Sequence, residues 1–187
     1  TWRGWERGIT HIDMLSPRIQ SLQGTQLAWN PSTSKKGVTA EAILLPLVSN
    51  PEEFQSWLPN VKGKLVMISP LEATGRPDYN WEEFATEASF NKMKVAREIA
   101  SIAWRENMKN TGFTSRSIIE ALENAGAAGI VSSYWSKGFG VIKIFSARTK
   151  KIPTVDLELE DYSMVYRLAA RGEKPVLNIV AQSKDLG

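Results

Sequence analysis

Few side chains in this sequence are of a type that does chemistry, and their spacing decides which remain candidates. His11 is the single histidine and lies two residues from Asp13 in "THID", the beginning of a metal pair or a catalytic dyad. The sequence has no cysteine, so one histidine cannot complete a zinc site from nitrogen and sulfur ligands. No Asp-x-Asp-x-Asp loop supplies carboxylates for calcium or magnesium, and no Gly-x-Ser-x-Gly elbow presents a serine nucleophile. These shortages favour a hydrogen-bonded structural histidine. Carboxylates cluster at Glu82-Glu83 and at Glu158, Glu160 and Asp161. Paired acids can hydrolyse a glycosidic bond. Both clusters, however, fall where a helix is expected to begin, and acids there are favoured by the helix dipole.

The stretch "ALENAGAAGIVSSYW", residues 121–135, poses a similar choice. Its Gly126-Ala127-Ala128-Gly129 core invites a phosphate-loop reading. A phosphate loop needs a strand, then glycines, then a helix N-terminus, where free N–H groups face the anion. Here the helix comes first, and its C-terminal end presents carbonyls and partial negative charge. The hinge is a joint that lets a helix turn back onto the next strand.

Aromatic and basic side chains are the remaining contact candidates. Seven tryptophans are many for 187 residues. Trp81 and Trp104 fall near an apolar helix stripe and are expected in the core; Trp2, Trp5 and Trp135 are not explained that way. Trp135 sits in "SSYWSKGFG", where Tyr134, Trp135, Lys137 and Phe139 surround a glycine turn, a plausible contact loop. The densest basic runs, Lys35-Lys36 and the Arg148–Lys151 turn with Lys150, are too short to track a nucleic-acid backbone. Net charge is +3, from 23 basic and 20 acidic residues. No apolar run approaches the roughly 18 residues that span a bilayer. Neither nucleic acid nor membrane is expected as a partner. The opening residues carry neither an initiator Met nor a signal-peptide pattern, as in a mature or excised chain, so the ends hold no localisation signal.

These candidates need elements to position them. "THIDMLS" reads as a strand and "SPRIQSL" as a turn. "TQLAW" and "TAEAILLPLV" read as strands around the polar loop Asn30–Gly37, with Pro46 suggesting an edge or bulge. "SNPEEFQSWL" starts a short helix, with Ser49 or Asn50 as cap and Pro51 at the first position. "KLVMIS" is a buried strand. From Trp81 to Asn110 the pattern predicts one long helix whose buried stripe includes Phe84, Val95, Ile99 and Ile102. Ser117 and Glu120 match a capping box for a second helix that Gly126 stops. "AAGIVSSYW", "VIKIFSA", "KIPTVDLEL" and "KPVLNIVAQ" are strands, with a short helix "EDYSMVYRLAARG" before the last. No linker divides the chain, and one domain over 1–187 is expected.

In order, the blocks "VKGKLVMIS", "IIEALENAGAAGIVSSYW" and "KIPTVDLELEDYSMVYRLAARGEKPVLNIVAQ" resemble the protease-associated (PA) domain. The opening "GWERGITHIDMLSPRIQSLQGTQLAWNPST" is similar to the segment that precedes this domain in secreted or periplasmic zinc exopeptidases, which makes residues 1–24 the expected connecting segment from the peptidase. These exopeptidases belong to the aminopeptidase class and are relatives of glutamate carboxypeptidase. The departure is a helical insert over 70–114. The resemblance implies a β-rich α/β fold: an open β-barrel or sandwich of about seven strands flanked by helices. It implies a non-catalytic role, shaping access to a peptidase cleft, substrate specificity or protein association. Zinc would then belong to the parent's catalytic domain, with no cofactor in this chain. The expected partners are that catalytic domain and a peptide substrate, whose carboxylate the basic turn would attract. Contact residues on this reading are Tyr134, Trp135, Lys137, Phe139, Arg148 and Lys150. A carbohydrate-binding module built on exposed tryptophans and a self-sufficient carboxylate-pair hydrolase are the alternatives.

Overall fold

The computed structural model describes residues 4–140 and 144–187. Trp2, and Val141 to Lys143 of the expected "VIKIFSA" strand, lie outside the described residues.

The long apolar runs become strands because they can be covered on both faces. In chain order the strands are β1 (Trp5–Ser16), β2 (Gln20–Ser21), β3 (Gly24–Gln26) and β4 (Val38–Leu44), then β5 (Leu65–Met67), β6 (Gly129–Ser132), β7 (Thr154–Leu157) and β8 (Val176–Asp185). They form one sheet in the order β2-β1-β8-β4-β5-β6-β7-β3. The stretch β4 to β7 is parallel, and β8, β1, β2 and β3 pair antiparallel at its flanks. The helices are α1 (Pro51–Trp57), α2 (Asp78–Phe84), α3 (Glu87–Asn110), α4 (Ser117–Asn124) and α5 (Leu159–Ala170). The fold is α/β and rich in β, as expected, with eight strands among the described residues rather than about seven.

The strand period of two sorts the core into two layers. Leu65, Met67 and Val131 face a cluster with Tyr162 and Val165 of α5. Their neighbours Val66 and Ile130 face the opposite cluster, with Phe54 of α1 and Ile118, Ile119 and Leu122 of α4. Burial on both faces is why these short parallel strands read as unbroken apolar runs. The sheet curls until its two flanks approach. The buried Gln26 side chain on β3 donates to the carbonyl of Gln182 on β8 (2.6 Å) and of Ile9 on β1 (3.4 Å).

The small-residue hinge is a joint. Gly126 has φ +90°, with its N–H on the Glu123 carbonyl and the Ala127 N–H on the Leu122 carbonyl. That is a Schellman closure of α4. At Gly129 a Cβ would stand 2.8 Å from a Leu65 methyl, so β6 can lie against β5 only without one. The expected Asn50 cap and Pro51 start of α1 also hold.

Several expectations need correcting. The helix from Trp81 to Asn110 is broken: Ala85 is extended (ψ 156°), and Thr86 caps a new helix by accepting from the Ser89 N–H. Phe84, Val95, Ile99 and Ile102 are exposed rather than core, Ile99 at 62%. Only Met93 and Asn107 of α3 are buried; Trp104 of α3 and Trp81 of α2 are half-buried rather than core residues. The α4 cap joins Thr114 and Ser117, whose side chains accept from each other's N–H (3.1 and 3.0 Å), instead of Ser117 and Glu120. Pro46 lies just past β4, a strand paired on both sides, so it marks no edge. Within "VIKIFSA", the described part holds only an isolated bridge between Ala28 and Ser146.

One buried tyrosine fixes the carboxyl end of β5. The Tyr162 hydroxyl donates to the Ser69 carbonyl (2.7 Å) and accepts from the Ser69 N–H (2.9 Å). Burial raises the phenol far above its ordinary value. Tyr162→Phe leaves both Ser69 groups without this partner, and should cost about 1–3 kcal/mol in urea unfolding. An unchanged midpoint would mean that Ser69 is satisfied another way.

Candidate functional site

Parallel strands end on one side of a sheet, and crevices beyond their carboxyl ends are where open α/β sheets bind ligands. Here that side is roofed by the segment between β5 and α4. Leu45 follows β4; Ile68, Ser69 and Pro70 follow β5; Ser133, Tyr134 and Trp135 follow β6. Together with Trp104 and Met108 of α3, Ser115 and Ile118, they wall a cleft of about 290 Å³. Glu72 is its one charged lining residue. The walls are pinned: the Ser133 N–H donates to the Ser69 hydroxyl (2.9 Å), and the Tyr134 N–H to the buried Asp156 carboxylate (2.9 Å). Burial, and then the Asp156 charge, raise the Tyr134 phenol above its ordinary value.

A second, polar cleft of about 380 Å³ adjoins the first across Glu72 and Trp135. Its centre is Arg97 of α3. The guanidinium pairs with Asp78, donates to the carbonyls of Thr74 (3.2 Å) and Arg76 (2.7 Å), and lies 4.7 Å from the centre of the Trp135 ring. Lys137 reaches the other Asp78 oxygen at 3.4 Å, and Tyr79 meets Phe139 edge to face at 6.5 Å. Arg97 therefore ties the helical segment to the 134–139 loop. Elsewhere in this cleft Glu98 pairs with Arg105 (3.2 Å), and Lys94 sits over the Phe90 ring. Glu72 differs from these. Among the described residues it makes neither an ion pair nor a hydrogen bond. Burial raises its carboxyl above the usual range, more than the charges of Arg97 and Lys137 lower it.

The six expected contact residues thus divide. Tyr134, Trp135, Lys137 and Phe139 belong to this junction, while Lys150 lines a third cleft with Trp5 and Trp29, and exposed Arg148 acts on the Tyr134 phenol only through its charge. The backbone of the basic turn is held from within, while the side chains of Arg148 and Lys150 stay exposed. The Glu123 carboxylate already accepts from the N–H groups of Lys150, Lys151 and Ile152 at 2.7–3.1 Å. Sequence reasoning missed Glu72, Asp78, Arg97 and Glu123; none stands in a motif, because each acts on chain distant in sequence. Of the six described tryptophans only Trp29 is exposed.

The remaining sequence candidates are accounted for locally. His11 Nε2 lies 2.9 Å from Asp13, which also accepts from Ser21. Glu82 and Glu83 lie late in α2 rather than at the start of a long helix, correcting the dipole argument for them. Glu160 and Asp161 do occupy the first turn of α5, where Asp161 accepts from the Gln23 N–H (2.6 Å). Burial and the adjacent acids raise the Glu158 carboxyl, and none of the three lines the clefts described. Two adjacent ligands do not fit a zinc site, and among the described residues no group of three or more acids or histidines is placed to hold a metal. No described helix is long and apolar enough to cross a membrane.

No family model matches the chain. It is similar to carboxypeptidase Q of Bos taurus, 25% identical over 180 residues, covering 96% of this chain and 32% of that protein. It is likewise similar to carboxypeptidase Q of Homo sapiens, 26% identical over 183 residues and covering the same shares. The chain thus spans about a third of the length of the curated relatives it matches. Among solved structures it superposes on a peptidase M28 precursor from Shewanella amazonensis (TM-score 0.60, 18% identity), covering all of this chain and 37% of that one. It also superposes on the aminopeptidase of Aneurinibacillus sp. strain AM-1 (TM-score 0.55, 11% identity), covering 98% and 33% of the two chains. A zinc aminopeptidase of Bacillus subtilis gives TM-score 0.51 at 14% identity, covering 97% and 33%. At these identities the structural likeness concerns the fold.

Two outcomes follow from the site's electrostatics. A carboxyl raised in the folded state costs stability when charged, and that loss is recovered as pH falls through the folded value. Glu72→Gln should therefore melt at or above the wild-type temperature at pH 7, the gap closing as acid protonates Glu72. A lower midpoint at pH 7 would make Glu72 a structural partner instead. Glu123→Ala should cost about 1–3 kcal/mol and open the 148–152 turn to proteolysis, since three N–H groups lose a charged acceptor. Equal cleavage in both proteins would show the turn to be held otherwise.

Proposed function

We propose that this chain is a non-catalytic accessory domain of the PA type from a zinc-dependent exopeptidase that is secreted or periplasmic. The observation that carries the reading is one of coverage: nearly the whole chain aligns with only about a third of carboxypeptidase Q. That leaves most of such an enzyme, including room for its metal site, outside these residues. The chemistry of the chain agrees, since its acids serve as helix-start groups, loop anchors and ion-pair partners.

In this role the chain acts as a wall beside the peptidase cleft and touches substrate or the catalytic domain through Tyr134 to Phe139. The exposed Lys137 and Phe139 are its accessible members, while Trp135 backs them from beneath through Arg97. Zinc, supplied by the catalytic domain, would provide the hydrolytic chemistry.

The test compares peptidase activity with added zinc between this chain alone and the chain extended into the parent protein. Activity is expected only in the extended form. In that form Lys137→Ala with Phe139→Ala should change the ratio of kcat/KM between peptide substrates by several-fold while leaving the melting temperature intact. Activity in this chain alone, or unchanged substrate ratios, would overturn the respective part of the reading.

A further inference from the structure

The apolar cleft beyond β4, β5 and β6 has a feature that an accessory wall does not require. Its walls are mainly hydrocarbon and aromatic, from Trp104, Met108, Ile118 and Trp135, with Ser69, Ser115 and Ser133 between them, and Glu72 is its one charged lining residue. In the adjoining polar cleft Asp78 and Glu98 have cationic partners, and Arg97 and Lys137 are committed to Asp78. Glu72 has no such partner at bonding distance. A half-buried carboxylate without a bonded partner, lining a mainly apolar cleft, is the kind of group kept for a ligand. The group that complements it is a cation, and the surrounding walls complement an apolar body.

We propose that this cleft binds a small primary amine carrying a single aromatic or branched aliphatic group, its ammonium paired with Glu72 and its apolar body held between Trp104 and Trp135. Size sets the limit on the body. The cavity, about 290 Å³, lies at the bottom of the roughly 300–1,000 Å³ range of ligand pockets, which suits one ring with a short arm. Pairing in a site partly shielded from water is stronger than at an open surface, and Trp104 adds cation–π attraction. An anion of the same shape would meet Glu72 as a like charge and be rejected. The inference is independent of the peptidase parent, because it uses only this chain's own residues.

The experiment titrates the full chain at pH 7 with phenethylamine, 2-phenylethanol and phenylacetate, reading tryptophan fluorescence and heat of binding. Phenethylamine should saturate with a dissociation constant on the order of millimolar. Phenylacetate should bind at least about ten-fold more weakly, and the alcohol between the two. Glu72→Gln should weaken the amine at least about ten-fold while leaving the alcohol unchanged. Trp104→Ala should weaken amine and alcohol together. The Glu72→Gln melting curve checks that lost binding is not lost folding. Equal affinity of the amine for wild type and Glu72→Gln, equal affinity of amine and phenylacetate, or no saturation by the amine would each overturn the proposal.

Discussion

A single guanidinium decides whether this molecule has a site at all. The helices α2 and α3 bury almost nothing: no residue of α2 and two of α3. Hydrophobic packing, chiefly Trp104 and Met108 against the cluster of α1 and α4, is therefore only part of what holds them over the sheet. Arg97 holds the middle of α3, sharing its donors among Asp78 and the carbonyls of Thr74 and Arg76, with the Trp135 ring beneath. Asn107 holds the late part, accepting from the Val48 N–H (2.8 Å) and donating to the Pro46 carbonyl (3.0 Å). Hydrogen bonds to fixed carbonyls set an angle and a register, whereas an apolar stripe would tolerate sliding. The two clefts lie where the roof is held by these few polar anchors rather than by a continuous packed face.

Below that roof the geometry comes from the sheet. The parallel arrangement of β4, β5 and β6 brings three chain crossings to one side, and Tyr162, Ser69 and Asp156 fix the backbone where they emerge. The floor is thus rigid and the roof comparatively free. Accommodation of a ligand would fall on the roof, whose interaction with the floor is polar and local. The Arg97 Nε, buried without a partner among the described residues, shows that this attachment is imperfect.

Much of the sheet was legible in the sequence, since short apolar runs bounded by turn residues have few other uses. The order of blocks around Gly126-Ala127-Ala128-Gly129 and Lys151-Ile152-Pro153 was enough to indicate the fold. The roof was not legible. Periodicity in the Trp81–Asn110 stretch reported a helix correctly, but a stripe records only which residues share a face, not whether anything covers it. The break at Ala85 was hidden because alanine favours helix, and Thr86 acts as a cap only once the chain turns there. Trp135 and Tyr134 were found from composition. Their partners Arg97 and Asp156, and Glu72 in the same cleft wall, were not, because these charges come from chain tens of residues away and leave no local pattern.

The pairing of β1 with β8 carries a temporal consequence. It joins the earliest strand of this sheet to the latest, with residues 5–16 against 176–185. During synthesis β1 to β7 and α5 all emerge before β8, and β4 stays unpaired on one flank until β8 leaves the ribosome. Closing a loop of this length has an entropic cost that grows only slowly with length, but the contact comes late whatever its strength. The β4 flank of the sheet therefore stays open until β8 has been made, and β8 both completes the sheet and covers an edge able to pair with a neighbour.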